Sequence, residues 1–225
     1  MYTYTLIANS TSILRSDGAV IPADPTNSDY ATYLKWVSAG NTVNPVPGPT
    51  LMQAQATQTT LLNAACQAAI VSGFTSSALG AVYTYPSSTV DQLNMNSCVN
   101  ASNIALNSPP WVAGALVPQG TIITMVGQGF IATQGGTSSS NPQNWSVTPV
   151  DDGSVIWNTW TVQFKCMDSA GNWLYTPHTA SQMRQVGLDG VATITAYLKQ
   201  NDTLKAQVAA AATVAAVQAI MWSAS

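Results

Sequence analysis

The chain has 225 residues, of which 46% are hydrophobic, and this content is enough for one or two compact domains with packed cores. Only 7% of the residues are charged, Glu is absent, and six basic against nine acidic residues leave a net charge of −3. This composition excludes disorder, collagen and a small disulfide scaffold, and it argues against a nucleic-acid partner, which requires a basic stripe.

Residues 1–43 are predicted to form a β-hairpin followed by a helix, which together make a docking segment. Strands are expected at residues 2–6 and 13–21, with a tight turn inside the second stretch. Apolar residues then recur at helical spacing over residues 30–37, and Gly40 ends the run. The start of the chain lacks the basic region and the continuous apolar core of a signal peptide, so no export is expected.

Residues 44–49 are predicted to be a linker between the docking segment and the rest of the chain. Their sequence, NPVPGP, contains three prolines, and such a stretch is stiff and extended. Thr50 and Gln53 have the spacing of a capping box and begin a long helix. A weak helical run capped by Asp91 follows, and the NSPP sequence at residues 107–110 marks another boundary.

Residues 111–157 are predicted to be a small β-rich module inserted into a mixed α/β domain, which comprises residues 50–110 and 158–225. Short strands punctuated by glycine are typical of a small sheet or barrel. Within and just after this module, the candidate strands are residues 121–126, 130–133, 155–157, 161–166 and 173–175.

The C-terminal region is predicted to be helical and rich in alanine. Thr179 and Gln182 repeat the capping-box spacing, and Thr213 can restart a short last helix. The apolar stretch 208–222 is too short to span a bilayer, so we predict a buried helix and no membrane insertion. A stripe of apolar and small residues predicts that these helices form the contact of a homo-oligomer. The stripe consists of Leu204, Val208, Ala211 and Ala215.

Together these elements predict an α+β fold, with an N-terminal hairpin and helix, a mixed body carrying an inserted β module, and C-terminal alanine-rich helices. Cys66, Cys98 and Cys166 are odd in number and far apart, which fits neither a disulfide framework nor a zinc site. We therefore expect buried free thiols, and we expect no cofactor and no metal.

Several motifs in the body resemble a domain of unsettled role that is found near the ends of tailed-bacteriophage tail-fibre proteins. The motifs are GFTSSALG at residues 73–80, YTY at 83–85, DQLN at 91–94, FKCMD at 164–168, YTPHTA at 175–180, Gln182 and Trp222. The resemblance implies a phage tail as the setting, and it implies no reaction.

The insertion is similar to a module of phage fibres that is akin to small chitin-binding domains and usually has Tyr where Phe130 stands. The first forty residues also resemble the opening hairpin and helix of short phage tail proteins. The insertion motifs are GTII at residues 120–123, GFIA at 129–132, GTS at 136–138, Pro142, Trp145 and DGSVIW at 152–157.

Two groups of residues are weighed as catalytic candidates. His178 is the sole histidine, and as a base it would need an orienting acid, for which Asp168 is the candidate, and a nucleophile such as Ser181. No nucleophile-turn motif surrounds any serine, so we favour a histidine that holds the start of a helix. Asp151 and Asp152 are adjacent, so their side chains point to opposite faces of an extended chain and suit a turn better than a glycosidase site.

Tryptophans are concentrated in the β-rich part, where exposed indoles can stack on sugars while nearby amides bind hydroxyl groups. A core role is favoured for most of them, because a small module needs large rings to fill its interior. We predict a glycan-binding surface with Trp145 as the exposed ring, accompanied by Asn141, Asn144 and Trp111. The tryptophans concerned are Trp111, Trp145, Trp157, Trp160 and Trp173.

The sequence therefore predicts a non-enzymatic structural component of a phage tail, a fibre or fibre-tip subunit located in the virion after synthesis in the host cytoplasm. The expected partners are further copies of the chain, in a trimer by analogy with tail fibres, other tail or baseplate proteins, and a host surface polysaccharide. Two alternatives stay open. One is a chaperone that assists fibre assembly, and the weaker one is a polysaccharide-cleaving enzyme, which would need paired carboxylates or a histidine dyad.

Overall fold

Residues 1–44 form the N-terminal unit of the computed structural model, which describes residues 1–223. Strands β1 (Tyr4–Leu6), β2 (Ile13–Arg15) and β3 (Val20–Ile21) make an antiparallel sheet in that order, and helix α1 (Ser28–Ser38) follows. Gly18 has a φ of 91°, the positive value that the tight turn between β2 and β3 requires. The predicted strands and helix are present, and the predicted turn divides residues 13–21 into β2 and β3.

Tyr4 lies at the centre of this unit, where its ring contacts Tyr33 and Trp36 at centroid distances of 5.1 and 4.9 Å. Asn44, which the sequence placed in the linker, belongs to the unit, because its N–H donates to the Tyr4 carbonyl at 2.8 Å and its own carbonyl accepts from Leu6 at 3.0 Å. No hydrogen bond, ion pair or ring contact within residues 1–223 joins residues 1–44 to residues 50–223.

The helices of the body are α2 (Leu51–Val71), α3 (Thr89–Leu106), α4 (Ala180–Ala210) and α5 (Val214–Gln218). Both predicted capping boxes are present, at Thr50 and at Thr179, because each hydroxyl accepts the N–H of the glutamine three residues later. The run after Tyr85 is a full helix of 18 residues rather than a weak one. Its N-cap is Ser88, and Asp91 completes the capping box instead of being the cap itself.

The C-terminal helices pack against α2, inside the chain. Leu204, Val208 and Ala211 of the stripe that predicted an oligomer contact pack against α2, so the stripe no longer supports such a contact. Ala215, the fourth member, is exposed and does not share their face. The core between these helices contains Ala54, Leu62, Val208 and Val217, with Leu51, Leu204 and Ala211 packed against it.

Residues 208–222, predicted as a buried helical stretch with a restart at Thr213, are divided between the end of α4 and the short helix α5. The backbone is extended at Ala211, with a ψ of 129°, so α4 ends at Ala210. The Thr213 hydroxyl then accepts the N–H of Ala216 and starts α5, which confirms the predicted restart. Within residues 1–223, no helix is long and apolar enough to cross a membrane.

The remaining strands are divided between the body and the insertion. They are β4 (Phe74–Ser76), β5 (Tyr83–Tyr85), β6 (Leu116–Val117), β7 (Ile122–Met125), β8 (Gln128–Gln134), β9 (Gly136–Thr137), β10 (Val150–Asp152), β11 (Val155–Thr159), β12 (Thr161–Met167) and β13 (Trp173–Thr179). The body sheet has the antiparallel order β13-β12-β5-β4, so β13 is an edge strand, and α3 and α4 cover one of its faces.

The insertion has a core of its own, built on a sheet of order β10-β11-β8-β7 beside the short pair β6-β9. Strand β11 continues to Thr159, two residues beyond the predicted end of the module at Trp157. A Cβ atom on Gly129 would lie 2.9 Å from the Cβ of Ala105 in α3, so glycine is what allows β8 to approach the body this closely.

The structure is 39% helical and 24% strand, which confirms the predicted α+β class. Cys66, Cys98 and Cys166 are free and buried, as the sequence predicted. The last two residues of the predicted range 158–225 lie outside the described residues.

Candidate functional site

Trp145 was predicted to be the exposed ring of a glycan site, and this prediction is wrong. Its side chain is only 7% exposed, with its ring 5.0 Å from that of Phe130 and 6.0 Å from that of Trp157 between centroids. The loop around it has the composition of a solvated surface, and Asn141 and Asn144 are indeed exposed. The indole turns inward because the small sheet of the insertion needs a large ring to fill its core.

The Trp111 indole is also hydrogen-bonded within the chain, to the buried carboxylate of Asp152. The Trp111 Nε1–H donates to Asp152 Oδ2 at 2.7 Å, and the Trp157 Nε1–H donates to the same oxygen at 3.0 Å. Oδ1 accepts the Ser139 N–H at 2.9 Å and also the Ser139 hydroxyl. The four predicted residues therefore do not form one sugar-binding platform, since both of their indoles are bound within the module.

Asp152 is the residue that the sequence reasoning missed. Burial alone raises the pKa of this carboxyl, but hydrogen bonds from Ser139, Trp111 and Trp157 outweigh burial and hold the pKa below 3.8. The alternation of side chains along a strand could have identified Asp152 as buried. Val150 and Asp152 share the buried face of β10, whereas Asp151 between them is exposed. Adjacent aspartates on opposite faces were predicted, and this arrangement is confirmed.

His178 is buried in the body core as a neutral hydrogen-bonded residue. Its Nδ1 lies 2.8 Å from the Thr176 carbonyl, which can only accept, so Nδ1 carries the proton and Nε2 accepts from the Tyr85 hydroxyl at 2.9 Å. Burial lowers the pKa of His178, against the opposing effect of the Thr176 hydrogen bond, and burial raises the pKa of Tyr85. The pair therefore stays uncharged near neutral pH.

Asp168 does not approach His178, and the hydroxyl of the third catalytic candidate, Ser181, accepts from the Gln128 amide at 2.7 Å. His178 pairs with Val162 in the β12–β13 register, whereas Asp168 lies beyond the other end of β12, roughly 20 Å along the strand. The Asp168 carboxylate is bound by backbone N–H groups of its own turn, from Ala170 and Asn172 at 2.9 Å each. No group of three or more His, Cys or Asp side chains within residues 1–223 could hold a metal ion.

The solvent-facing side of the β12–β13 hairpin carries the exposed aromatic surface that was expected in the insertion. Trp173 is 44% exposed and Tyr175 is 72% exposed, and the Lys165 ammonium lies 5.4 Å from the centre of the Trp173 ring. Among the tryptophans of residues 1–223, only Trp173 is exposed, and the others are buried or half-buried. The signal was available in the sequence, since residues two apart in a strand share a face.

A second exposed surface is an apolar groove of about 360 Å³ between α3 and α4, with Phe74 of β4 at its base. Leu188 and Val191 are 55% and 64% exposed there, and Arg184 stands at the edge. Comparisons with protein-family models, with curated proteins and with solved structures find no match for this chain.

Proposed function

We propose that the chain is a structural subunit of a bacteriophage tail, a fibre or fibre-tip component that contributes to host attachment or to fibre docking. The resemblance of the first forty residues, the body and the insertion to parts of phage tail proteins supports this role. In this proposal the chain resides in the virion tail after synthesis in the host cytoplasm. It assembles with copies of itself, as a trimer by analogy with tail fibres, and with other tail or baseplate proteins.

The observation that carries the proposal is the self-contained N-terminal unit. Tyr4, Ile13 and Ile21 give residues 1–44 a core of their own, and Arg15 ties the hairpin to α1 through an ion pair with Asp29 at 2.8 Å. The proline-rich residues 45–49 then form a stiff connection between this unit and the body. A unit with its own core and a stiff linker is suited to dock on one partner while the body contacts another.

The experiment is complementation of a phage that lacks the gene, followed by immunodetection of the chain in purified particles. We expect the full chain to co-purify with particles and a variant lacking residues 1–44 to remain in the lysate. Val20→Asn is a matched local variant. Val20 is 61% exposed on β3, so its replacement changes the surface of the N-terminal unit and leaves the core intact. Absence of the full chain from particles would contradict the proposal.

An assembly chaperone is the second candidate, and the groove between α3 and α4 favours it. Exposed apolar side chains such as Leu188 and Val191 can bind an apolar segment of an unassembled fibre. A chaperone leaves when assembly is complete. Recovery of the chain in lysate complexes with the fibre protein, and not in finished particles, would select this candidate.

A further inference from the structure

We infer that the solvent-facing side of the β12–β13 hairpin is a binding site for an acidic polysaccharide. Sugar rings stack on Trp173 and Tyr175, and a carboxylate of the polysaccharide pairs with Lys165. The inference rests on the proposed function in host attachment, and it places the contact on the body instead of the insertion loop.

The register of the hairpin brings these side chains onto one face. Trp173 and Tyr175 are two residues apart on β13, so their Cα atoms are about 7 Å apart and their side chains point the same way. Lys165 is directly opposite Tyr175 on β12, and Gln163 is opposite Pro177. The face thus presents two rings in a row, flanked by an ammonium group and an amide that can bind hydroxyl or carboxylate oxygens.

Apart from the contact of Lys165 with Trp173, neither ring is engaged by a polar or aromatic partner within the described part of the chain. The Trp173 indole N–H and the Tyr175 hydroxyl make no hydrogen bond there, and neither ring packs on another aromatic ring. The partly buried indole of Trp111 and the buried indole of Trp157 differ, because Asp152 accepts a hydrogen bond from each of them. Stacking with a sugar would give the two exposed rings an apolar contact that the fold itself does not supply.

The charge on this face selects an acidic ligand. Lys165 takes part in no ion pair within residues 1–223, and its ammonium rests on the Trp173 ring alone. The nearest acid along the hairpin, Asp168, is bound to the N–H groups of its own turn. A cation on an exposed flexible stem moves easily, so a ligand carboxylate draws Lys165 off the ring and leaves the ring face to the sugar.

A second copy of the chain is a poorer occupant of this face. Two rings with two flanking side chains form a patch far smaller than the roughly 800 Å² that each partner contributes to a stable protein interface. Strand-to-strand pairing along the edge is also opposed, because Pro177 lies within β13 and has no N–H to donate.

The test is titration of the full chain with a galacturonate hexamer, a hyaluronan hexamer and the neutral cellohexaose, followed by tryptophan fluorescence and calorimetry. We expect at least one acidic hexamer to bind more tightly than cellohexaose, with an affinity that falls as salt is added. Trp173→Ala and Lys165→Gln should each weaken that binding at least tenfold. Leu174→Ala is the matched control, since Leu174 is 49% exposed on the same strand but faces the other way, and it should stay within twofold.

The inference is overturned if neither acidic hexamer binds, if cellohexaose binds equally well, or if Trp173→Ala keeps full affinity. Loss of binding in Asn144→Ala with Trp173→Ala unaffected would return the site to the insertion loop and would equally overturn it. Formation of dimers that Tyr175→Ala abolishes would assign the face to a second copy. Each of these results leaves the incorporation of the chain into particles unaffected, so the proposed function is judged separately.

Discussion

Replacing Asp152 by Asn tests whether one buried carboxylate organises the insertion. The carboxylate accepts from Trp111, Trp157 and twice from Ser139, so both of its oxygens are fully used. An amide has one acceptor oxygen and one NH₂ group. The NH₂ group would replace one of the two carboxylate oxygens and would therefore lie against hydrogen-bond donors in either orientation. One buried donor left unpaired costs about 1–3 kcal/mol, and hydrogen bonds to a neutral acceptor are each weaker than those to a charge. We expect a total loss of about 2–4 kcal/mol in the free energy of unfolding.

The assay is urea unfolding followed by the near-ultraviolet circular dichroism of the indoles, with Asp151→Asn as the matched control. Asp151 is the exposed neighbour on the opposite face of β10, so its replacement should change the free energy of unfolding by no more than about 0.5 kcal/mol. The two variants remove the same charge from adjacent positions. Equal stability of the two would refute the reasoning, because the buried hydrogen bonds would then carry no special weight.

The same pair of variants has a pH signature. The pKa of Asp152 is below 3.8 in the folded chain, so its contribution to stability is complete above about pH 4 and is lost as pH falls through the lowered value. Asp152→Asn should therefore remove part of the acid destabilisation of the insertion, and Asp151→Asn should leave it in place. Identical acid profiles for the two variants would contradict this assignment.

Three further predictions concern other parts of the chain. Trp145→Ala should cost the insertion about 3–5 kcal/mol of stability by urea unfolding, whereas the exposed Trp173→Ala should cost no more than about 0.5 kcal/mol. Burial lowers the pKa of His178 from 6.5, so the body should lose stability as pH falls below about 6.5, and His178→Gln should flatten that profile between pH 7.5 and 5. Residues 45–225 should melt within about 2 °C of the body transition of the full chain, since the N-terminal unit shares no core with the body; insolubility of that fragment would show the opposite.

Local signals in the sequence predict the starts of helices well, because a cap depends on a few adjacent residues. Thr50 with Gln53 and Thr179 with Gln182 satisfy backbone N–H groups within a single turn, so no distant partner is needed to recognise them. The helix after Ser88 was underestimated because its stability depends on residues that are distant in the sequence. Its exposed face mixes polar side chains with Val90, Leu93 and Ile104, so no clean apolar stripe marks the helix, and its few buried side chains are covered by elements far away in the chain.

Long-range packing is what the sequence could not supply. The periodicity around Val208 indicates an apolar face, but periodicity is the same whether α2 or another copy of the chain covers that face. The composition of the loop around Trp145 indicates solvent, yet the ring reaches back to Phe130 and Trp157. The candidate site on β13 was within reach, since Trp173 and Tyr175 alternate on a predicted strand, but exposure depends on whether a helix covers that face.

The two ends of the insertion emerge side by side from the body. Pro110 bridges Thr124, Thr124 pairs with Gly129, and the Trp160 N–H donates to the Gly129 carbonyl at 2.9 Å. Neighbouring strands are spaced at about 4.8 Å, so the chain leaves the body and returns to it within about 14 Å. The module is therefore joined to the body through two neighbouring chain ends at one place. We expect that another module, or a short loop, could replace it by closing the same narrow gap.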